Sequence, residues 1–264
     1  MNALRVWVEG VGLWSPQLAD FAALRALLAG AAPAPPPPRP AAATLPPNER
    51  RRAPESVLLA VEAAGQAVAM SGHDAAALAC VFASSHGDQA ITDYMCATLA
   101  QAPAELSPTR FHNSVHNAAV GYWTIATGCH APSTAICAQR ASFGAGLLEA
   151  AGLALAEQRA VLLVCSDTAG SGPLDEVTRC RQSFGCALVL APQAGAAALA
   201  RLDLALQAGA AIDTPLPAPL DDWRAGNPSA ASLSLLALLA ARGGRCELAA
   251  AATLGLRIDM EHVA

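Results

Sequence analysis

Residues 131–152, APSTAICAQRASFGAGLLEAAG, place a thiol, an amide and a guanidinium (Cys137, Gln139 and Arg140) where an extended run gives way to a helix. Such a junction suits nucleophilic chemistry, because the free N–H groups and the dipole at a helix start favour an anion and lower a thiol pKa. The residue at the helix mouth therefore decides whether the chain carries a nucleophile. Cys137 falls on the extended side, and on an alternating strand it shares a face with Ser133 and Ala135 instead of looking into the helix. Arg140 is no nucleophile, since a guanidinium stays protonated and has no accessible lone pair; a carboxylate, backbone carbonyls or an interface are its expected partners. The G-A-G inside the helix is too short a match for a phosphate loop, and its small residues suit close packing of helix on sheet.

Other reactive side chains are sparse. His112 and His116 have the spacing of neighbours on one helix face and Cys129-His130 follows, but no third and fourth ligand at a familiar spacing accompanies them. The eight cysteines include no C-x-x-C pair and sit mostly in apolar runs such as ALACVFASS and AVLLVCSD. Buried free thiols in a reducing compartment are expected, with no metal and no cofactor.

The elements that position the junction alternate. LRVWVEGVGLW reads as a strand and LADFAALRALLAG as a helix; 54–71 is helical, ALACVFASS a buried strand, DQAITDYMCATLAQ and NAAVGYWTIATG helices. PSTAIC is a strand before the small-residue helix, and RAVLLVCSD a buried strand after it. SFGCALVLAP and AAALARLDLALQA are expected to pair as an antiparallel hairpin, followed by a helix from NPSAAS and closing strands in CELAAAATLGLRIDM. Residues 31–47 hold eight prolines and form a surface loop or connector. With 264 residues, 54% of them apolar, the chain supports one α/β domain over 1–264 with a mixed sheet. A charged fraction of 14% and a net charge of −5 argue against nucleic acid or an anionic membrane as partner. Mean hydropathy is +0.36, yet Gly, Pro or charge breaks every apolar run before it reaches spanning length. With no secretory signal pattern at the N-terminus, a cytoplasmic protein is expected.

The order of these motifs resembles the N-terminal half of the β-ketoacyl synthases, condensing enzymes of the thiolase fold. RVWVEGVGLWSP is similar to their opening strand and turn, HNAAVGYWTIATGCHAPSTAI to their N-x-x-x-G helix and G-P-S strand, and SFGCALVLAP to the closing G-x-G-A strand. Nearest are the short chain-length factors of aryl-polyene and related polyketide systems. The resemblance implies a truncated thiolase-like fold, a ketosynthase N-terminal half with a mixed sheet covered by helices. Counting from Pro132, it puts Arg140 at the nucleophile position, with Cys137 three residues early. A one-residue difference brings Gln139, the residue chain-length factors of aromatic polyketide systems carry there, into register. The family's C-terminal catalytic histidines find no counterpart motif after residue 130.

A non-catalytic chain-length factor is therefore expected, in a heterodimer with a β-ketoacyl-ACP synthase of polyene, polyketide or fatty acid biosynthesis. Acyl carrier protein would be contacted through that partner. Phe111, His116, Asn117, Tyr122, Trp123, Ser133, Thr134, Ile136 and Phe143 are the implied interface or tunnel residues, and PSTAIC the edge that pairs across the two-fold axis. Two other readings stay open at this point: a small thiolase-fold enzyme that decarboxylates malonyl groups with Gln139 or transfers acyl groups with Cys137, and a structural scaffold homodimer.

Overall fold

The computed structural model describes residues 3–212 and 214–263. In chain order the elements are β1 (Leu4–Trp14), α1 (Phe21–Leu28), α2 (Pro47–Arg52), α3 (Glu55–Ser71), β2 (Ala79–Ala83), α4 (Gln89–Gln101), α5 (Pro108–His112) and α6 (Ala118–Thr127). Then come β3 (Ser133–Ile136), α7 (Ser142–Glu157), β4 (Val161–Asp167), α8 (Pro173–Thr178), β5 (Phe184–Ala191), β6 (Ala200–Ala208), α9 (Leu220–Gly226), α10 (Leu233–Ala241), β7 (Gly243–Ala251) and β8 (Leu254–His262). A 3-10 turn, Pro228–Ser232, joins α9 to α10.

Every strand enters one eight-stranded sheet of order β3-β2-β4-β5-β1-β6-β8-β7. β2 runs parallel to β3 and β4, and the remaining pairs are antiparallel, so the sheet is mixed as the resemblance implies. The expected hairpin of β5 and β6 does not form. β1 lies between them and pairs with both, Val11 opposite Leu188 and Val6 opposite Leu202. The physical reason is burial: Val6, Val8, Val11 and Leu13 are all within 1% of full burial, and a strand so deep in a sheet needs partners on both edges.

Helices cover both faces. α3 and α6 pack one face over Leu162, Val164, Ala187 and Val189, while α1, α7 and α10 pack the other over Val81, Leu163, Leu188 and Leu204. Small residues set the closest approaches. A Cβ on Gly12 of β1 would lie 1.9 Å from Ala63 O of α3, and one on Gly144 of α7 would lie 2.2 Å from Ala249 O of β7. α7 thus packs across one face of the sheet with its first turn against β7, which fixes where its N-terminus sits.

Residues 31–46 are neither helix nor strand, and Pro47, at the end of the proline-rich stretch, begins α2. The stretch is exposed through Arg39 except for half-buried Pro33 and Pro36, then turns inward. Ala42 and Leu45 are buried, and Ala42 N donates to Glu62 Oε2 at 2.6 Å. Among the described residues no helix is long and apolar enough to cross a membrane, and no group of three His, Cys, Asp or Glu side chains is placed to hold a metal ion.

Candidate functional site

β3 ends at Ile136 and α7 starts at Ser142, so Cys137–Ala141 form the elbow between an edge strand and a buried helix. Gln139 stands at its apex. Its φ of 51° lies in the left-handed region, uncommon for any residue with a side chain. Two hydroxyls hold that conformation: Ser85 Oγ and Ser142 Oγ each donate to Gln139 O at 2.6 Å, and Ser142 Oγ accepts from Ala138 N at 3.0 Å. The Gln139 side chain is exposed and makes no hydrogen bond to a described residue.

Behind the elbow lies a buried acidic hub. Asp167, at the C-terminal end of β4 and 1% exposed, accepts at Oδ1 from Ser84 Oγ (2.8 Å), Ser85 N (2.8 Å) and His86 N (3.1 Å), and at Oδ2 from Ser229 Oγ (2.6 Å). Ser85 thus links the hub to the elbow. Asn227, fully buried, donates to Asp167 O at 2.9 Å and Gln182 O at 2.6 Å while accepting from Ser229 N at 2.8 Å. It pins α9 and the following turn over the C-terminal end of β4 and the N-terminal end of β5. Burial pushes the Cys180 thiol up to about 12; Asp167 adds to the rise and the Arg140 guanidinium opposes it.

The three residues at the junction separate. Cys137 lies past the end of β3, exposed, with Sγ 3.4 Å from Ser85 O, so it lies outside the strand alternation expected of it. Arg140 follows the apex and donates from Nη2 to Ala225 O at 3.1 Å. Gln139, one position before the place counted from Pro132, is the residue the turn projects outward. The turn is set by Ser85 and Ser142, and Ser85 is remote in sequence.

The other implied site residues fall into two groups. Trp123 and Phe143 are 1% exposed, and they pack in the two separate cores. Phe111, His116, Asn117 and Ser133 are exposed, and Tyr122, Thr134 and Ile136 half-buried. His112 and His116 do not share a helix face, because α5 ends at His112 and a turn follows. His116 Nε2 lies 3.0 Å from Ser84 O, whereas His112 lines an apolar groove of about 390 Å³ with Leu45, Val115, Asn117, Tyr122 and Ile125. Tyr122 donates its hydroxyl to Asn113 Oδ1 at 3.2 Å. β3 is an edge strand, and no described strand covers its outer side. Six of the eight thiols are buried and two, Cys96 and Cys137, are exposed. The Asp167 hub is not read from the sequence, although an acid closing the apolar run AVLLVCSD is a signal; Asn227 enters the sequence reading only as the start of NPSAAS.

The elbow thus combines a left-handed apex, a hydroxyl clamp and the start of a buried helix, with an amide side chain at its apex. Solved structures share the fold around it. A ketosynthase (ApeO) in complex with its chain length factor (ApeC) from Xenorhabdus doucetiae matches with a TM-score of 0.74 at 24% identity, over 97% of this chain and 99% of that one. AntDE:AntF (apo), a type II PKS acyl-carrier protein in complex with its ketosynthase bound to the hexaketide, gives 0.65 at 17% identity over 79% and 70%. A β-ketoacyl synthase from Burkholderia phymatum STM815 gives 0.58 at 17% over 91% and 71%. Among curated protein sequences none matches. Residues 27–219 match the family described as Beta-ketoacyl synthase, N-terminal domain, and with that stretch covering most of the sequence, the elbow and β2 to β6 included, the chain belongs to the β-ketoacyl synthase family.

Proposed function

We propose that the chain is a non-catalytic chain-length factor, the partner of a β-ketoacyl-ACP synthase that elongates acyl chains in polyene, polyketide or fatty acid biosynthesis. The observation that carries this reading is the elbow itself. It keeps the left-handed apex and the hydroxyl clamp, yet presents the amide of Gln139, which forms no thioester under neutral conditions. The remaining thiol nearby, Cys137, sits on the strand side of the turn against a backbone carbonyl.

The partner surface is argued from the free edge of β3 and the exposed apolar side chains Phe111, Val115 and Ile125 on the neighbouring segment. An open strand edge flanked by apolar groups calls for a covering chain. A synthase as that chain is supported by the solved relatives: one is a ketosynthase with its chain length factor, another a ketosynthase with its carrier protein. In that arrangement the synthase subunit holds the thioester and meets the carrier protein in the cytoplasm, and this chain closes the partner's acyl tunnel from α6 and β3.

Co-expression with the synthase encoded beside it tests the reading, followed by size-exclusion chromatography and carrier-protein elongation by each protein alone and together. A heterodimer that elongates only while the partner keeps its own cysteine is the expected result. Turnover by this chain alone, abolished by Gln139→Ala or Cys137→Ala, would overturn it in favour of a small enzyme. A stable homodimer that leaves product length untouched would favour a scaffold.

A further inference from the structure

Beside the elbow opens a cavity of about 370 Å³, lined by Arg140, by α9 and the turn after it, and by β7. Its rim is cationic. The only hydrogen bond of the Arg140 side chain among the described residues is Nη2 to Ala225 O, and no described carboxylate lies within ion-pair distance of it. A guanidinium carries five N–H donors, so the others have no protein acceptor among those residues. Arg224, on the opposite wall, is already engaged: it pairs with Asp221 at 2.5 Å and donates to Thr214 O and Ser234 Oγ. It is a fixed wall, its charge balanced by Asp221. Directly after Arg140 begins α7, a 16-residue helix with no side-chain cap at its N-terminus, which adds positive potential at the same end.

Asp221, held by Arg224, also lines the cavity beside Ala225, and the remaining lining is apolar: Pro228 and Ala231 of the turn, Leu248 and Ala249 of β7. A cation at one end and hydrocarbon at the other select an amphiphilic monoanion. Phosphate and sulfate leave the apolar wall unused, and a dicarboxylate would press its second charge against Leu248. The volume holds about twelve water-sized groups, room for a carboxylate and a short aliphatic tail. We propose that this cavity binds a short-chain aliphatic monocarboxylate, its carboxylate taken by the planar guanidinium of Arg140 and its tail laid on Pro228, Ala231, Leu248 and Ala249. The proposal rests on the cavity and holds whether or not the chain pairs with a synthase.

The test is protection of Arg140 from phenylglyoxal in the full-length protein, followed by peptide mass mapping, with hexanoate as the probe. Exposed Arg25 on α1 serves as internal control and hexanol as the uncharged analogue. Hexanoate at ten times its dissociation constant is expected to slow Arg140 modification about tenfold by mass action, with Arg25 unchanged and hexanol without effect. Unchanged Arg140 reactivity at millimolar hexanoate, or equal slowing at Arg25 or by hexanol, overturns the proposal. A second readout is melting temperature: hexanoate is expected to raise it for the wild type and to leave Arg140→Gln unmoved. An equal rise in that variant overturns the role of Arg140.

Discussion

Replacing Asp167 with alanine strands the donors that converge on it. Two of these, the Ser84 and Ser229 hydroxyls, can rotate toward other acceptors; the backbone N–H groups of Ser85 and His86 are fixed by the turn after β2. A buried donor left unpaired costs about 1 to 3 kcal/mol, which puts the loss for two at about 2 to 6, and about 4 kcal/mol is expected. That is a large fraction of the 5 to 15 kcal/mol, roughly, that stabilises an ordinary domain. Asparagine separates the acceptor role from the charge. Its carbonyl can take the place of Oδ1, and its NH2 would face Ser229 Oγ, which accepts as readily as it donates. Exchanging charge-assisted bonds for neutral ones costs about 1 kcal/mol, so Asp167→Asn is expected to lose only that. Urea unfolding of both variants measures the two numbers. Hydrogen exchange locates them: the amides of Ser85 and His86 should lose protection in the alanine variant and keep most of it in the asparagine variant. Equal destabilisation by the two, or a loss under about 1 kcal/mol for alanine, would refute Asp167 as the acceptor that holds the elbow's supporting turn.

Gly144→Ala is expected to destabilise by about 1 to 3 kcal/mol, because its Cβ would meet backbone atoms of β7 at 2.2 Å. Gly152→Ala on the same helix, with open space at the Cβ, should be neutral or stabilising by about 0.5 to 1 kcal/mol in the same denaturant assay. Burial pushes the thiols of Cys80, Cys180, Cys186 and Cys246 up to about 12 from an ordinary 9.0. Between those values the folded chain holds protons the unfolded chain has lost, so unfolding free energy should fall as pH rises from 9 toward 12; a flat profile there would contradict the burial. A thiol reagent at pH 8 should meet Cys96 and Cys137 quickly and the six buried thiols only after denaturation. Ile125→Asp, at a side chain 84% exposed, should change the stability of the isolated chain by less than about 0.5 kcal/mol yet weaken co-elution with the synthase.

The local part of the fold is legible in the sequence because apolar period and punctuation are local. Asp88 before α4 and Gly128 after α6 stop and start helices by capping, and the run AVLLVCSD is a strand for the same reason it is buried. Strand adjacency is not local. Nothing in SFGCALVLAP or AAALARLDLALQA reveals that β1, more than 170 residues earlier, enters between them; only the need of a doubly buried strand for two partners decides it. The site divides the same way. Its strand-to-helix junction is readable, while the apex is set by Ser85 on a distant turn and by Asp167 behind it. Trp123 and Phe143 are large and near the junction in sequence, yet α6 and α7 cover opposite faces of the sheet and bury them in different cores.

A non-glycine residue in the left-handed region costs about 1 to 2 kcal/mol, and an enzyme accepts such strain because it aims a nucleophile. In the proposed non-catalytic role Gln139 bears it without that task, and the strain serves position. The elbow ties the four residues of β3 to the start of α7, and α7 has no freedom to shift, since Gly144 already abuts β7. A relaxed turn would carry the edge strand away from its place beside β2. Two substitutions at 139 separate backbone from side chain. Gln139→Gly relieves the strain and loses an exposed side chain without hydrogen bonds, so it should be neutral or stabilising by up to about 1 kcal/mol. Gln139→Val, whose branched Cβ is least compatible with positive φ, should cost about 1 to 3 kcal/mol. If the two variants unfold alike, residue 139 is not held at positive φ. The functional readout is separate: with the elbow serving as a strut, the glycine variant still pairs with the synthase and supports elongation at the wild-type rate. Loss of elongation in a glycine variant that folds and pairs normally would mean that the Gln139 amide itself takes part in the chemistry.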